Sequence, residues 1–417
     1  MQIGVQAHSR APAHPPPPVA PIPRISLQAF CETPEIAALI RGAAHDRRME
    51  KAQFKVSLGG VEAAIEAYRA APTPHIIVIE SASERDDLLR QLETLAEFCD
   101  SGVKVIVIGR LNDIALYRDL IARGVSDYLV PPFGMLDFIA ALSAQYHPDK
   151  APPIGRVIAV TGCKGGAGAS CVAHNLAWSI ARAFDAATVI ADFDLAFGTT
   201  GLDFNQDPPQ GVAEAVFAPD RLDSQLLDRL LFPCSDRVSI LAAPAAMDRC
   251  YDLHENAFDA LIDLLRASTP YIVLDLPHVW TAWSRRMLVT ADEALVVAAP
   301  DLASLRNAKN LLDALRAARV NDPPPRLALN GVGLPKRPEI APADFATAVE
   351  CEPSAIIPFD ARLFGHAANN GQMVAEMEDG ARIAAIYGDL ARVLTGRGAI
   401  RRGRKGFLEP LRAFLKG

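Results

Sequence analysis

The sequence predicts two doubly wound α/β domains, and three observations carry that expectation. Short apolar runs rich in β-branched residues alternate with amphipathic stretches of helical period, the pattern of buried parallel strands joined by crossover helices. The alternation stops once, in the proline-bearing stretch 147–156, and then starts afresh. In the second series a glycine-rich string follows the first strand directly, the context in which such a string binds phosphate. With 417 residues the chain also exceeds what one ordinary core organises.

The elements follow in order. Residues 1–23 carry Pro15, Pro16, Pro17 and Pro18 in succession, then Pro21 and Pro23. That composition favours extended polyproline II and builds no core, so a disordered tail is expected. A strand over 25–30 precedes a helix over 34–45 with Ile36, Leu39 and Ile40 on one face. A strand over 54–58 and a helix over 61–69 come next. The run His75, Ile76, Ile77, Val78, Ile79 suits a buried parallel strand, and 103–108 and 127–130 repeat its type between helical stretches at 88–98 and 114–123. Five βα units predict one doubly wound domain over 24–146, followed by a linker over 147–156.

The second domain is expected over 157–396. Its strands are read at 157–161, 187–191, 238–242, 271–274, 294–298, 326–330 and 355–358, and its helices at 171–184, 255–267 and 305–316. At 397–417 the composition changes sharply to a basic, amphipathic tail.

Composition excludes several classes. A net charge of −7, from 42 basic and 49 acidic residues, argues against a surface that coats nucleic acid. Seven cysteines, scattered at 31, 99, 163, 171, 234, 250 and 351 without a CxxC pair, read as reduced thiols with no metal-ligand spacing. No segment approaches the ~18 consecutive apolar residues of a membrane span, and residues 1–23 lack the apolar run of a signal peptide. A cytoplasmic protein that reaches a membrane only peripherally is expected.

The chemistry concentrates in the string Thr161-Gly162-Cys163-Lys164-Gly165-Gly166-Ala167-Gly168-Ala169-Ser170, followed by Cys171. Glycines let backbone N–H groups converge on an anion, and the following helix N-terminus adds positive potential. Ser170 stands where a hydroxyl would ligate Mg²⁺. The usual G-x-x-x-x-G-K-[ST] pattern is broken twice, by Cys163 for the first glycine and by Ala169 for the phosphate-binding lysine. Taken alone, the string also reads as a tight turn. Asp192 and Asp194 end the next apolar strand, and Tyr271-Ile272-Val273-Leu274-Asp275 has the form of a strand whose aspartate holds Mg²⁺ through water.

With Asn175-Leu176-Ala177, these strings resemble the deviant Walker ATPases of the ParA/MinD family. The strings Asp194-Leu195-Ala196-Phe197-Gly198-Thr199, Ala303-Ser304-Leu305-Arg306 and Asn330-Gly331-Val332-Gly333-Leu334-Pro335 narrow the likeness. With Ile357-Pro358-Phe359-Asp360 and Ala367-Ala368-Asn369-Asn370-Gly371, they resemble the CpaE/TadZ branch, the Flp (Tad) pilus assembly proteins. The resemblance spans roughly 24–395.

The resemblance implies an ATP site with Mg²⁺ formed by Lys164, Gly165, Gly166, Ala167, Gly168, Ala169, Ser170 and Cys171. Asn330 and Pro358 would lie by the adenine, and Ser170, Asp192 and Asp275 would serve the metal. Lys164 would reach the phosphates of a partner subunit in an ATP-dependent sandwich homodimer, and Asp194 would position or activate water. It further implies a localisation or assembly factor for a pilus or secretion machine, at the cell pole or the inner membrane. Hydrolysis should be slow without a lysine at 169, since that ammonium neutralises charge shifting in the transition state.

The first domain resembles a response-regulator receiver. Glu80 stands where a phosphate-accepting aspartate is expected, the first strand ends in Ala29-Phe30-Cys31 without an acidic pair, and Pro131 replaces a lysine. A docking module that has lost phosphoryl chemistry is the expectation. In the basic tail, Arg397, Arg401, Arg402, Arg404 and Lys405 precede Phe407, Leu408, Leu411, Phe414 and Leu415, which suits an anionic membrane surface, a partner protein or plain solvation. Two other functions stay open at this point. One is a non-catalytic scaffold that kept the fold, and the other a DNA-partition ATPase, which the acidic balance disfavours. His278 reads either as a neighbour of the site or as a solvent-facing loop residue.

Overall fold

The computed structural model describes residues 19–146, 154–244 and 250–397. They fall into two compact units, one on each side of position 153/154.

The first unit alternates β1 (Ser26–Cys31), α1 (Pro34–Ala43), β2 (Gln53–Leu58), α2 (Gly60–Tyr68), β3 (Ile76–Ser81), α3 (Arg85–Ala96), β4 (Lys104–Gly109), α4 (Ile114–Ala122), β5 (Asp127–Leu129) and α5 (Met135–Ala144). The five strands form a parallel sheet in the order β2-β1-β3-β4-β5, the doubly wound arrangement expected. Every residue of central β3 is buried. The two-residue period sorts side chains between the faces. Leu27, Ala29 and Cys31 pack with α1 and α5, while Phe30 turns to α2 and α3. α1 begins where Thr33 accepts the Ile36 N–H and Pro34 fills the first turn.

At the end of β3, Glu80 is 7% exposed and fully engaged. Its Oε2 accepts the N–H groups of Glu32 (2.8 Å) and Thr33 (2.9 Å), and its Oε1 accepts the Thr33 hydroxyl (2.7 Å). β1 runs over Ser26–Cys31, one residue later than the expected 25–30, and a single acidic residue, Glu32, follows it; its carboxylate accepts the Ala82 N–H.

The second unit runs β6 (Arg156–Gly162), α6 (Ala169–Phe184), β7 (Thr188–Asp192), α7 (Thr200–Asp203), α8 (Val212–Phe217), α9 (Ser224–Leu230), β8 (Phe232–Pro233), β9 (Val238–Leu241), α10 (Asp259–Ser268), β10 (Tyr271–Leu276), α11 (Ala282–Thr290) and β11 (Glu293–Ala298). It continues through α12 (Leu302–Ala318), β12 (Arg326–Val332), α13 (Pro342–Val349), β13 (Pro353–Pro358), α14 (Ala361–Asn370) and α15 (Ala381–Leu394). The sheet order is β13-β12-β11-β6-β10-β7-β9-β8, with β8 antiparallel to β9 and the other pairs parallel. Val157 and Ala159 of β6 enter the core under α10 to α13, whereas Ile158 and Val160 enter the core under α6 and α15.

Several sequence readings shift. Arg156, read as linker, opens β6. α6 starts at Ala169 rather than 171, because Gly168 is left-handed (φ 82°) and ends the loop there. The first turn assigned to the 255–267 helix is non-helical, and α10 begins at Asp259. The proline-rich residues 1–18, the linker residues 147–153 and the tail residues 398–417 lie outside the described residues. Among the described residues no helix is long and apolar enough to cross a membrane.

Candidate nucleotide site

The glycine-rich loop joins β6 to α6 at the carboxyl edge of the sheet, where ligands of such folds bind. Its shape is fixed from three sides. The Cys163 N–H donates to the Val297 carbonyl (2.9 Å), Asn307 Nδ2 donates to the Cys163 carbonyl (3.1 Å), and Asn330 Nδ2 donates to the Ala167 carbonyl (2.9 Å). Gly166 (φ 77°) and Gly168 (φ 82°) are left-handed, and a Cβ on Gly168 would collide with Asn330 Nδ2. Gly165 and Gly166 are exposed, while Ala167 is buried. The loop therefore presents an open arc of backbone above the N-terminus of a sixteen-residue helix whose first turn carries no acidic residue.

The predicted residues are distributed as follows. Lys164 Nζ stands 2.9 Å from Asp301 Oδ2, at the N-cap of α12. Burial opposes ionisation of Asp301, but the Ser304 N–H and Lys164 outweigh it and hold the carboxyl below its ordinary range. Ala169, Ser170 and Cys171 form the half-buried first turn of α6. Burial and the Asp203 charge push the Cys171 thiol up to about 11, which leaves it neutral at physiological pH. Asn330 is joined to the loop itself. Pro358 ends edge strand β13, in register with Val332 of the neighbouring strand.

Asp192 and Asp275 sit side by side on β7 and β10. Asp192 is fully buried and both its oxygens are taken. Oδ1 accepts the Asp194 N–H (3.1 Å), and Oδ2 accepts the Thr200 N–H (3.1 Å) and hydroxyl (2.8 Å). Gly198 allows this closeness, since a Cβ there would strike the carboxylate. Asp194 is half-buried and caps its own turn by accepting the Phe197 N–H (3.1 Å).

His174 belongs to this cluster and was passed over in the sequence, where it sits beside Asn175 in a largely apolar stretch of α6. Its ring is 1% exposed. Nδ1 meets Asp203 Oδ2 at 2.8 Å, and Nε2 meets Thr200 Oγ1 at 2.9 Å and Asp275 Oδ2 at 3.5 Å. The Thr200 hydroxyl already donates to Asp192, so it accepts from Nε2–H. Both ring nitrogens then carry protons. Burial opposes that charge, but Asp203 and Asp275 overcome it and push the imidazole up to about 10. Burial and the Asp275 charge together push Asp192 up to about 7.

One acceptor remains open. Asp275 Oδ2 is buried and accepts no hydrogen bond; the His174 imidazolium 3.5 Å away offsets its charge, yet its hydrogen-bonding capacity stays unused, which is costly unless a cation with its water shell comes to it. The Ser170 hydroxyl makes no hydrogen bond to the described residues. Asp275 and Ser170 thus fit a hydrated Mg²⁺, whereas Asp192 is committed to the 192–200 turn. Beside the loop, Cys163, His278, Trp280, Asn307 and Leu311 line a cavity of about 240 Å³.

The family model of cellulose biosynthesis protein BcsQ matches residues 156–325. The chain is 28% identical over 166 residues to the septum site-determining protein MinD of a Synechocystis species, covering 39% of this chain and 60% of that one. It therefore spans about three fifths of the length of these relatives. The Pyrococcus horikoshii MinD structure, complexed with Mg-ADP, shares the fold at 20% identity and a TM-score of 0.50, over 58% of this chain and 96% of that one. The solved pilus assembly protein CpaE of Caulobacter crescentus is 50% identical over 30% of this chain and 95% of its own, with a TM-score of 0.30. On that identity across nearly the whole of the solved Caulobacter chain, the protein belongs to the CpaE family of pilus assembly proteins, with a second domain of MinD/ParA type.

Proposed function

We propose that the second domain is an ATP-binding switch that dimerises on its nucleotide and positions components of a pilus or related secretion machine. The observation that carries this reading is the pairing of an open, tightly pinned glycine arc with a buried Asp275 carboxylate oxygen that accepts no hydrogen bond. The His174 imidazolium offsets the charge of that oxygen from 3.5 Å, but a buried acceptor that receives no donor is still a standing cost.

In this reading the backbone N–H groups of 165–170 hold the phosphates, Asn330 fixes the loop from beneath, and Ser170 and Asp275 hold Mg²⁺ with its water shell. Bound Mg²⁺ would neutralise phosphate charge. Lys164 exchanges its Asp301 partner for phosphates across a sandwich homodimer. That exchange is easy, because a half-exposed ion pair holds only ~1 kcal/mol or less. Asp194 would orient water. Ala169 supplies no ammonium, so hydrolysis is slow and the ATP state long-lived. The dimer acts on the cytoplasmic side, at a pole or on the inner membrane, with residues 397–417 and the receiver-like domain as docking parts.

Calorimetry with ATP and Mg²⁺ tests the reading on wild type and Asp275→Asn. Mg²⁺-dependent ATP binding in wild type, weakened in Asp275→Asn, is expected. No ATP binding by wild type would leave a scaffold that kept only the fold, the reading that Ala169 and the fully committed Asp192 favour.

A further inference from the structure

We propose that His278 is a further phosphate-contacting residue of this site, supplying from the loop after β10 a hydrogen-bond donor toward the terminal phosphate that Ala169 cannot supply from α6. The inference rests on the nucleotide reading above.

The missing contact defines what must be replaced. In phosphate loops of this type the backbone cradles the α- and β-phosphates, and the lysine at the second-last position reaches the β- and γ-phosphates. Here that position is Ala169, whose side chain ends at a methyl group. Lys164, in the reading above, serves the phosphates of the partner subunit and leaves this chain's own terminal phosphate without that ammonium.

His278 is placed for the task. Its Cε1 and Nε2 each lie 3.3 Å from where a Cβ on Gly165 would stand, so the ring rests against the exposed arc of the loop. The ring is exposed and makes no hydrogen bond to the described residues, so its N–H is available to a ligand. Its neighbours are held on both sides. The Thr161 hydroxyl donates to the Pro277 carbonyl (3.2 Å), and the Ser284 hydroxyl donates to the Val279 carbonyl (2.7 Å). A side chain set between two anchored carbonyls is presented rather than left to wander. Imidazole offers at least one N–H donor in either charge state, and a donor meeting a phosphate oxygen makes one of the stronger hydrogen bonds.

The test measures ATP and ADP affinities by calorimetry with Mg²⁺ on the full chain, for wild type, His278→Ala, His278→Gln and Ala169→Lys with and without His278→Ala. His278→Ala should weaken ATP binding by roughly tenfold or more and ADP binding by no more than about twofold. His278→Gln, which keeps an N–H donor, should fall between. In the Ala169→Lys background the His278→Ala loss should shrink. A purely structural role would weaken both nucleotides alike, and equal losses, or none, would overturn the proposal. If wild type binds neither nucleotide, the nucleotide reading falls and the proposal with it. If wild type binds ATP with indifference to His278, the proposal alone falls.

Discussion

Two carboxylates at the carboxyl ends of parallel strands in the two sheets have opposite situations. Glu80 of the first domain has its acceptor capacity filled by the β1–α1 turn, through two backbone N–H groups and the Thr33 hydroxyl. Asp275 of the second domain is equally buried, yet one of its oxygens accepts nothing. A filled acceptor belongs to the architecture, whereas an unfilled one leaves room, in the reading proposed above, for a ligand. The same sheet edge has thus been closed in one domain and kept open in the other, and substitutions at the two positions should separate stability from binding.

The largest effect is expected where backbone and packing forbid change. Gly168→Ala forces a side chain into a left-handed residue and against Asn330, so the loop cannot keep its shape. ATP binding should be lost altogether, with destabilisation of about 1–3 kcal/mol by chemical denaturation. Unchanged ATP affinity would mean that the loop's geometry is irrelevant to the ligand.

Next comes the contrast itself. Glu80→Ala leaves three donors unpaired and should cost about 2–4 kcal/mol of stability in the first domain, with ATP affinity unaltered. Asp275→Asn should do the reverse, shifting the melting temperature less while weakening Mg²⁺-dependent ATP binding at least ~10-fold. If both act alike on stability and binding, the distinction between closed and open edges is wrong.

A smaller effect sharpens the cluster beneath the loop. His174 is raised from 6.5 to about 10 in the folded protein, so its ion pairs stabilise fully below pH ~6.5 and fade as pH rises through about 10. The stability gap between wild type and His174→Gln, measured without nucleotide or metal, should be widest near pH 6 and narrow toward pH 10. A gap constant with pH would show that His174 is buried neutral.

Much of this was legible in the sequence because strand and loop signals are local. The β-branched run at 75–79, the glycines at 165, 166 and 168 and the Asp275 strand each declare themselves within a few residues. What escaped depends on partners distant in sequence. His174 looked like one of a few polar residues in a largely apolar helix, and only the approach of Asp203, Thr200 and Asp275 makes it a buried charge. Nothing in the neighbourhood of Asp192 revealed that Thr200 would donate to it. α15 was within reach, since Ile383, Tyr387, Leu390 and Leu394 keep helical spacing and are all buried.

The central claim is that nucleotide drives assembly through Lys164. Sedimentation velocity on wild type and Lys164→Ala, each with and without ATP and Mg²⁺, tests it most directly. Wild type should pass from monomer to dimer on adding ATP, and Lys164→Ala should bind ATP yet remain monomeric. Wild type that binds ATP without changing its sedimentation, or a Lys164→Ala protein that dimerises as well as wild type, would contradict it.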